Sequence, residues 1–190
     1  MTRWIIIAVA AAIAIYVIAV FNRLVRARQM ANEAWSGIDV QLKRRSDLVP
    51  NLVETVKGYA AHERAVLDEV TQLRGAARAV PTEDVAGRAN AENALSGALG
   101  RLFAVAENYP DLKASGNFLD LQKELTALED DLQMARRYYN GAVRNLNVLV
   151  QSFPSSLVAS TFGFSARQFF ELADAAERAP PQVGFAPAPQ

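Results

Sequence analysis

Between residues 22 and 78 the chain reads NRLVRARQMANEAWSGIDVQLKRRSDLVPNLVETVKGYAAHERAVLDEVTQLRGAAR, and the order of apolar residues in this stretch decides the fold. Leu24, Ala31, Ile38, Arg45, Leu52, Tyr59, Val66 and Leu73 recur at every seventh position, with one charged member among them. A companion set four residues on, Arg28, Trp35, Leu42, Val49, Val56, Glu63 and Val70, is mostly apolar too. A strand would alternate with period two, whereas a seven-residue repeat with two apolar members is the stripe of a long amphipathic helix. Pro50 lacks an amide hydrogen and crowds the carbonyl of Ser46, so the helix either kinks there or restarts with Asp47 as its cap. The repeat keeps its phase across the proline, which predicts one kinked helix over residues 22–78.

Downstream, Pro81-Thr82-Glu83-Asp84 reads as a stop followed by a start, with Thr82 placed to cap and two acids favoured at a helix N-terminus. The second helix carries Val85, Ala89, Leu95, Leu99, Leu102, Ala106 and Tyr109, and stops at Pro110. A third begins at Asn117 with the cleanest three-four spacing in the chain, from Phe118 through Leu125, Leu132, Tyr139 and Leu146 to Phe153. Residues 155–177 form a mixed segment crowded with Phe162, Phe164, Phe169 and Phe170, a cluster that suits the open end of a bundle or a lipid or partner contact. The tail 178–190 is rich in proline and alanine, has no face to bury, and is expected to be disordered.

Upstream lies an unbroken apolar run from Trp4 to Phe21. At about 1.5 Å per residue it covers about 27 Å, close to the hydrocarbon thickness of a bilayer, where only a helix satisfies its own backbone. A cleaved signal would have a shorter apolar region followed by small residues; here the Ala8–Ala10 and Ala12–Ala14 triplets lie inside the run, and it ends at Val20-Phe21-Asn22. The reading is a retained transmembrane helix at 4–21 behind a stub at 1–3. Arg23, Arg26 and Arg28 outnumber Arg3 across the span, so the positive-inside rule places the body in the cytoplasm, at a bacterial inner membrane.

The remaining composition excludes more than it suggests. Lys plus Arg and Asp plus Glu number 20 each, so no global field argues for nucleic acid. The absence of cysteine excludes disulfides, thiolate metal sites and a cysteine nucleophile. His62 lacks the second histidine four residues on that a metalloprotease helix needs, and reads as a surface residue. Glu129-Asp130-Asp131 fan around a helix and read as a solvated face. No catalytic residue, cofactor or metal site is predicted. Lys43-Arg44-Arg45 is a basic patch in which Arg45 falls on the stripe, open to three readings: an acid of a partner helix, anionic headgroups, or snorkelling at the stripe's edge.

One length argument points to self-association. A first helix of about 85 Å cannot be matched by a second of about 40 Å, at the same rise per residue. If the third helix turns outward at the level of Pro50, residues 22–50 form a stalk whose apolar residues Leu24, Ala31, Trp35, Ile38 and Leu42 have no intramolecular cover. Parallel copies leaving one bilayer would cover them; the alternative is a chain that folds back at Pro50. Small residues at Ala8 and Ala12, or Ala10 and Ala14, allow close approach within the bilayer.

The residues also resemble the LemA family. The resemblance is carried by Ala34-Trp35, Ile38 to Arg45, Asp47 to Val53 and Lys57 to Ala60; by Tyr109 to Ala114, Asn117 to Leu119 and Ala135 to Asn140; and by Phe153-Pro154-Ser155, Phe162-Gly163-Phe164 and Phe170-Glu171. It departs at Ser46, where a larger residue is common, and over Thr126 to Leu132. The resemblance implies an N-terminal transmembrane helix and a four-helix-type bundle, the bulk of it inside the cell, and no enzymatic activity. Together these readings predict an all-α protein: a transmembrane helix followed by an antiparallel, coiled-coil-like bundle of long helices over 22–177. The expected role is a self-associating scaffold or adaptor with an unidentified protein partner. The alternative is a lipid-binding or membrane-remodelling module that uses Arg23, Arg26, Arg28, Lys43, Arg44 and Arg45 with the phenylalanines at 162, 164, 169 and 170.

Overall fold

The computed structural model of the protein describes residues 1–171; the expected disordered tail at 178–190 and the last residues of the expected bundle, 172–177, lie outside the described residues. Among the described residues every regular element is a helix: α1 Thr2–Tyr59, α2 Arg64–Ala79, α3 Val85–Ala106, α4 Pro110–Lys113, α5 Gly116–Gln151 and α6 Ser155–Thr161. The all-α reading holds.

α1 carries the apolar run and the heptad stretch as far as Tyr59 in one continuous rod, with Pro50 inside it. Its buried positions, Val20, Leu24, Ala27, Ala31, Ala34, Ile38, Leu42, Arg45, Val49, Leu52 and Val56, step by threes and fours along one face. In the first half the companions of the heptad are Ala27 and Ala34, not Arg28 and Trp35. Alanine on that side lets the facing helix approach closely, and it moves Trp35 to the stripe's edge, half-buried.

The proline is accommodated by a donor from another helix. Residue 50 has no N–H to give the carbonyl of Ser46, and Arg74 Nε of α2 donates to that carbonyl at 2.6 Å instead. The same contact fixes α2 antiparallel to α1. The expected single helix over 22–78 is therefore corrected: α1 ends at Tyr59, the chain reverses through Ala60–Glu63, and α2 returns. The heptad phase hid this reversal, because Val66, Val70 and Leu73 face the same core after the turn as they would have before it. Gly58, about 1 kcal/mol poorer than alanine in a helix interior, is the local signal for the end.

α3 runs antiparallel to α2, tied by Arg101 to Glu69 at 2.5 Å and by Tyr109 Oη donating to Glu63 at 2.9 Å. Its cap is Asp84, whose carboxylate accepts from Gly87 N–H at 2.8 Å; the expected cap, Thr82, uses its backbone carbonyl to accept from Trp35 Nε1 at 3.0 Å. α4 links α3 to α5, which descends along nearly the whole of α1 outside the apolar run. Two cores result. A distal one joins Val49, Leu52 and Val56 to α2, α3 and Phe118 and Leu125 of α5. The other joins Val20 to Leu42 with Leu132, Tyr139, Val143 and Leu146 of α5, and with α6, Phe164 and Phe170.

Past α5 a cis Phe153–Pro154 bond leads into α6, and Gly163, at φ 71°, turns the chain back in the left-handed conformation that favours glycine. The returning segment is clamped by two asparagines of α5. Asn147 donates to the Arg167 carbonyl at 2.9 Å and accepts from its N–H at 2.8 Å; Asn140 does the same for Phe170 at 3.1 and 2.9 Å. Seven residues of helix and three of extended chain both cover about 10 Å, so the two clamps fall in register.

This return corrects the stalk argument. Leu24, Ala31, Ile38 and Leu42 are buried by α5, α6 and the returning segment, and Trp35 packs against Tyr139 and Phe170 at centroid distances of 5.2 and 5.5 Å. The length argument assumed a rod running on to residue 78; α1 ends at Tyr59, and the 36-residue α5 descends along it and covers the stripe within the chain.

Substituting Arg74→Ala is expected to cost about 1–3 kcal/mol, because the Ser46 carbonyl loses its donor. In a Pro50→Ala background the new amide takes that role, and the same substitution should cost less than half as much. Chemical denaturation of the full chain in detergent, followed by circular dichroism, measures both. Equal costs in the two backgrounds would show that Arg74 stabilises by another route.

Candidate functional site

The layer between the two cores is polar. Arg45, 1% exposed, reaches from α1 to Glu92 and Glu129 through ion-paired hydrogen bonds, and donates to Ser96 Oγ at 2.8 Å. Burial opposes the guanidinium charge, but the carboxylates of Glu129 and Glu92 outweigh it and hold the pKa above the ordinary arginine value. Glu92 is itself buried, while Glu129 is half exposed. Arg45 thus joins α1, α3 and α5, and it is withdrawn from the candidate headgroup contacts. Glu129, read from sequence as part of a solvated face, turns inward to it. Glu92 was missed because a single acid in an alanine-rich helix carries no pattern until its partner is placed.

At the other end, near Phe21, lies the region best suited to meet a membrane. α1 is long and apolar enough to cross a bilayer, and its first residues are exposed nearly throughout. Phe162 and Phe164 pack edge-on against Phe21, with ring centroids 5.0 and 5.8 Å away, which sets α6 level with the end of the apolar run. Phe153, Leu157 and Phe162 are exposed there by 80, 60 and 51%. Elsewhere in the head, exposed apolar side chains such as Val40, Leu119 and Met134 stand singly, as on most soluble surfaces.

This base is also strongly basic. No Asp or Glu occurs over residues 1–32 or 138–170, while Arg23, Arg26, Arg28, Arg144 and Arg167 do. Every carboxylate that balances them lies in residues 33–131 or beyond 170. Among the described residues, charge is therefore polarised along the axis of the bundle. Arg28 is partly committed, its guanidinium 4.9 Å from the Phe164 ring centroid. Arg23 and Arg26 are exposed, and a cleft of about 400 Å³ brings them together with Arg144, a residue the sequence reading did not single out.

Of the other predicted contacts, Lys43 and Arg44 are exposed but stand about 33–35 Å past Phe21 along α1, several screening lengths from the base. Phe164 and Phe170 are buried and serve the core; Phe169 is 40% exposed. A second cleft, of about 560 Å³, lies between Trp35, Tyr139, Thr82 and Arg167. Burial raises the Tyr139 pKa despite the nearby Arg167, and its hydroxyl donates to the Gln168 carbonyl at 3.0 Å. No group of three His, Asp or Glu residues gathers to hold a metal among the described residues.

The model of the LemA family matches residues 34–185. The chain belongs to the LemA family. Among its relatives, the magnetosome protein MamQ of Magnetospirillum gryphiswaldense is 24% identical over 174 residues, covering 79% of this chain and 64% of that protein. Protein LemA of Metamycoplasma hominis is 28% identical over 138 residues, covering 73% of this chain and 63% of its own length. This LemA-family chain therefore spans just under two thirds of the relatives it matches. Neither relative's name denotes a catalytic activity. The family match takes in the Arg45 layer, the asparagine clamps and Arg144, whereas Arg23, Arg26 and the apolar run precede it. The chain is a helical, membrane-associated member of the family.

The Arg45 layer makes a sharp energetic prediction. Arg45→Met leaves the Glu92 carboxylate buried without its cation and is expected to destabilise the full chain by about 3–5 kcal/mol. Adding Glu92→Leu should recover most of that loss. Denaturation midpoints of the single and double variants check it, and a double variant no more stable than the single would contradict the role given to the pair.

Proposed function

We propose that this LemA-family chain is a single-pass anchored platform of the bacterial inner membrane, holding its helical head on the cytoplasmic side for a protein partner. The observation that carries the reading is the polarity of charge: among the described residues, an arginine-rich, carboxylate-free base beside the apolar run, and a mixed-charge head beyond it. Basic side chains beside a span favour the cytoplasmic face, and each one held near an anionic leaflet contributes about 1 kcal/mol. The buried charges of the head support a structural role for its polar layer, since Arg45, Glu92 and Glu129 neutralise one another. Lys43 and Arg44, beyond reach of the bilayer, are proposed as partner contacts. Self-association, if the platform works as several copies, is assigned to the exposed alanine faces of the span, Ala8 with Ala12 or Ala10 with Ala14.

A second reading, engagement of the lipid surface by the base, is favoured by the exposed Phe153, Leu157 and Phe162 level with Phe21. It places α6 in the interface between headgroups and hydrocarbon, as apolar side chains rimmed by arginine require.

One labelling experiment on the cysteine-free chain addresses both. Ala94→Cys on α3 should react with a membrane-impermeant, environment-sensitive maleimide only after cells are permeabilised. The same dye on Leu157→Cys should emit as in an apolar medium. Labelling of Ala94→Cys in intact cells would overturn the orientation, and water-like emission at residue 157 would overturn the seating of α6.

A further inference from the structure

We propose that the groove between the lower ends of α1 and α5 is a binding site for the phosphate-bearing headgroup of an anionic phospholipid. The proposal deepens the second reading above and rests on it. Three arginines line the groove: Arg23 and Arg26 from α1, and Arg144 from α5. None of the three has a carboxylate partner among the described residues, and the nearest stretches of sequence on both helices contain no acid. Like charges gathered in one cleft repel one another unless an anion sits between them. Guanidinium forks match the oxygens of a phosphate, which can accept from more than one of them at once.

Height selects a lipid over a soluble anion. Along α1, Arg23 and Arg26 stand about 3 and 8 Å past Phe21, and the headgroup layer on one side of a bilayer is about 5–8 Å deep. The groove also has an apolar lining from Met30, Val148 and Leu149, with Met30 and Val148 exposed by 44 and 54%. A free phosphate gains nothing from that apolar lining, whereas the glycerol and upper acyl carbons of a lipid cover it. The volume, about 400 Å³, falls within the range of about 300–1,000 Å³ usual for small-ligand pockets. Basic clefts between helices at the cytoplasmic surface are a recurrent way of holding anionic headgroups.

The test uses the full chain reconstituted in equimolar phosphatidylcholine and phosphatidylglycerol, extracted in mild detergent, with retained lipid counted by native mass spectrometry. The wild-type protein should retain phosphatidylglycerol in preference to phosphatidylcholine, and excess inorganic phosphate should not displace it. The Arg23→Gln/Arg144→Gln pair should lower retention by about ten-fold, as expected for losing two charge-assisted contacts, while Arg64→Gln/Lys113→Gln, an equal loss of charge at exposed positions of the far end, leaves it unchanged. Equal retention of both lipids by the wild-type protein would overturn the site without recourse to any variant. So would displacement by phosphate alone, or an equal loss in the Arg64/Lys113 control. Failure here with apolar emission at residue 157 removes the headgroup site and leaves the base on the membrane; water-like emission removes both.

Discussion

An apolar stripe that runs from Val20 to Val56 on one unbroken helix has to be covered over its entire length, and the rest of the molecule is arranged to meet that demand. α2 and α3 are too short to reach the lower half. α5, at 36 residues, spans both cores, and where it ends the chain does not stop but folds α6 and an extended segment back over the same stripe. The asparagine clamps then do for the returning backbone what a neighbouring strand would do, satisfying its N–H and C=O groups beside an apolar core.

Burial alone would let these helices slide by a turn, since one three-four stripe resembles the next. Two polar contacts at adjacent residues of α1 remove that freedom. Arg45 fixes α3 and α5 through Glu92, Ser96 and Glu129, and the Ser46 carbonyl fixes α2 through Arg74. Buried ion pairs add little net stability relative to well-packed apolar groups, but a misregistered helix would strand their charges, which makes register their natural role here. Pro50 belongs to the same device: by withholding one amide, it creates the acceptor that only a correctly placed α2 can fill.

The sequence made the long helices legible through periodicity, and the apolar run and its arginine flank through composition. It concealed what depends on reversals and partners. The turn at Ala60–Glu63 left the heptad phase intact, so a hairpin read as a rod. The cover over Leu24 to Leu42 comes partly from residues 164–170, which have no period, and from Asn140 and Asn147, whose spacing gains meaning only beside an extended chain. Arg45 was visible as an anomaly on the stripe, but not its acids. Arg144 was invisible as a site residue because it meets Arg23 and Arg26 only through antiparallel packing of segments far apart in sequence. The acid-free composition of those two segments was the available clue.

These features describe a protein whose two ends differ in chemistry, a basic, partly apolar base beside the apolar run and a mixed-charge head beyond it, and the proposed reading sets the first against a lipid surface. That division depends on α5 covering α1 within a single chain. It is tested most directly by spin labels at Met30→Cys and Asn145→Cys in one chain, reconstituted in bilayers with an excess of unlabelled protein. A label separation near that of packed neighbouring helices, about 10 Å between axes, unchanged on dilution, is what the account predicts. A short distance that disappears on dilution, or none at all, would mean that the stripe is covered by another copy or left open.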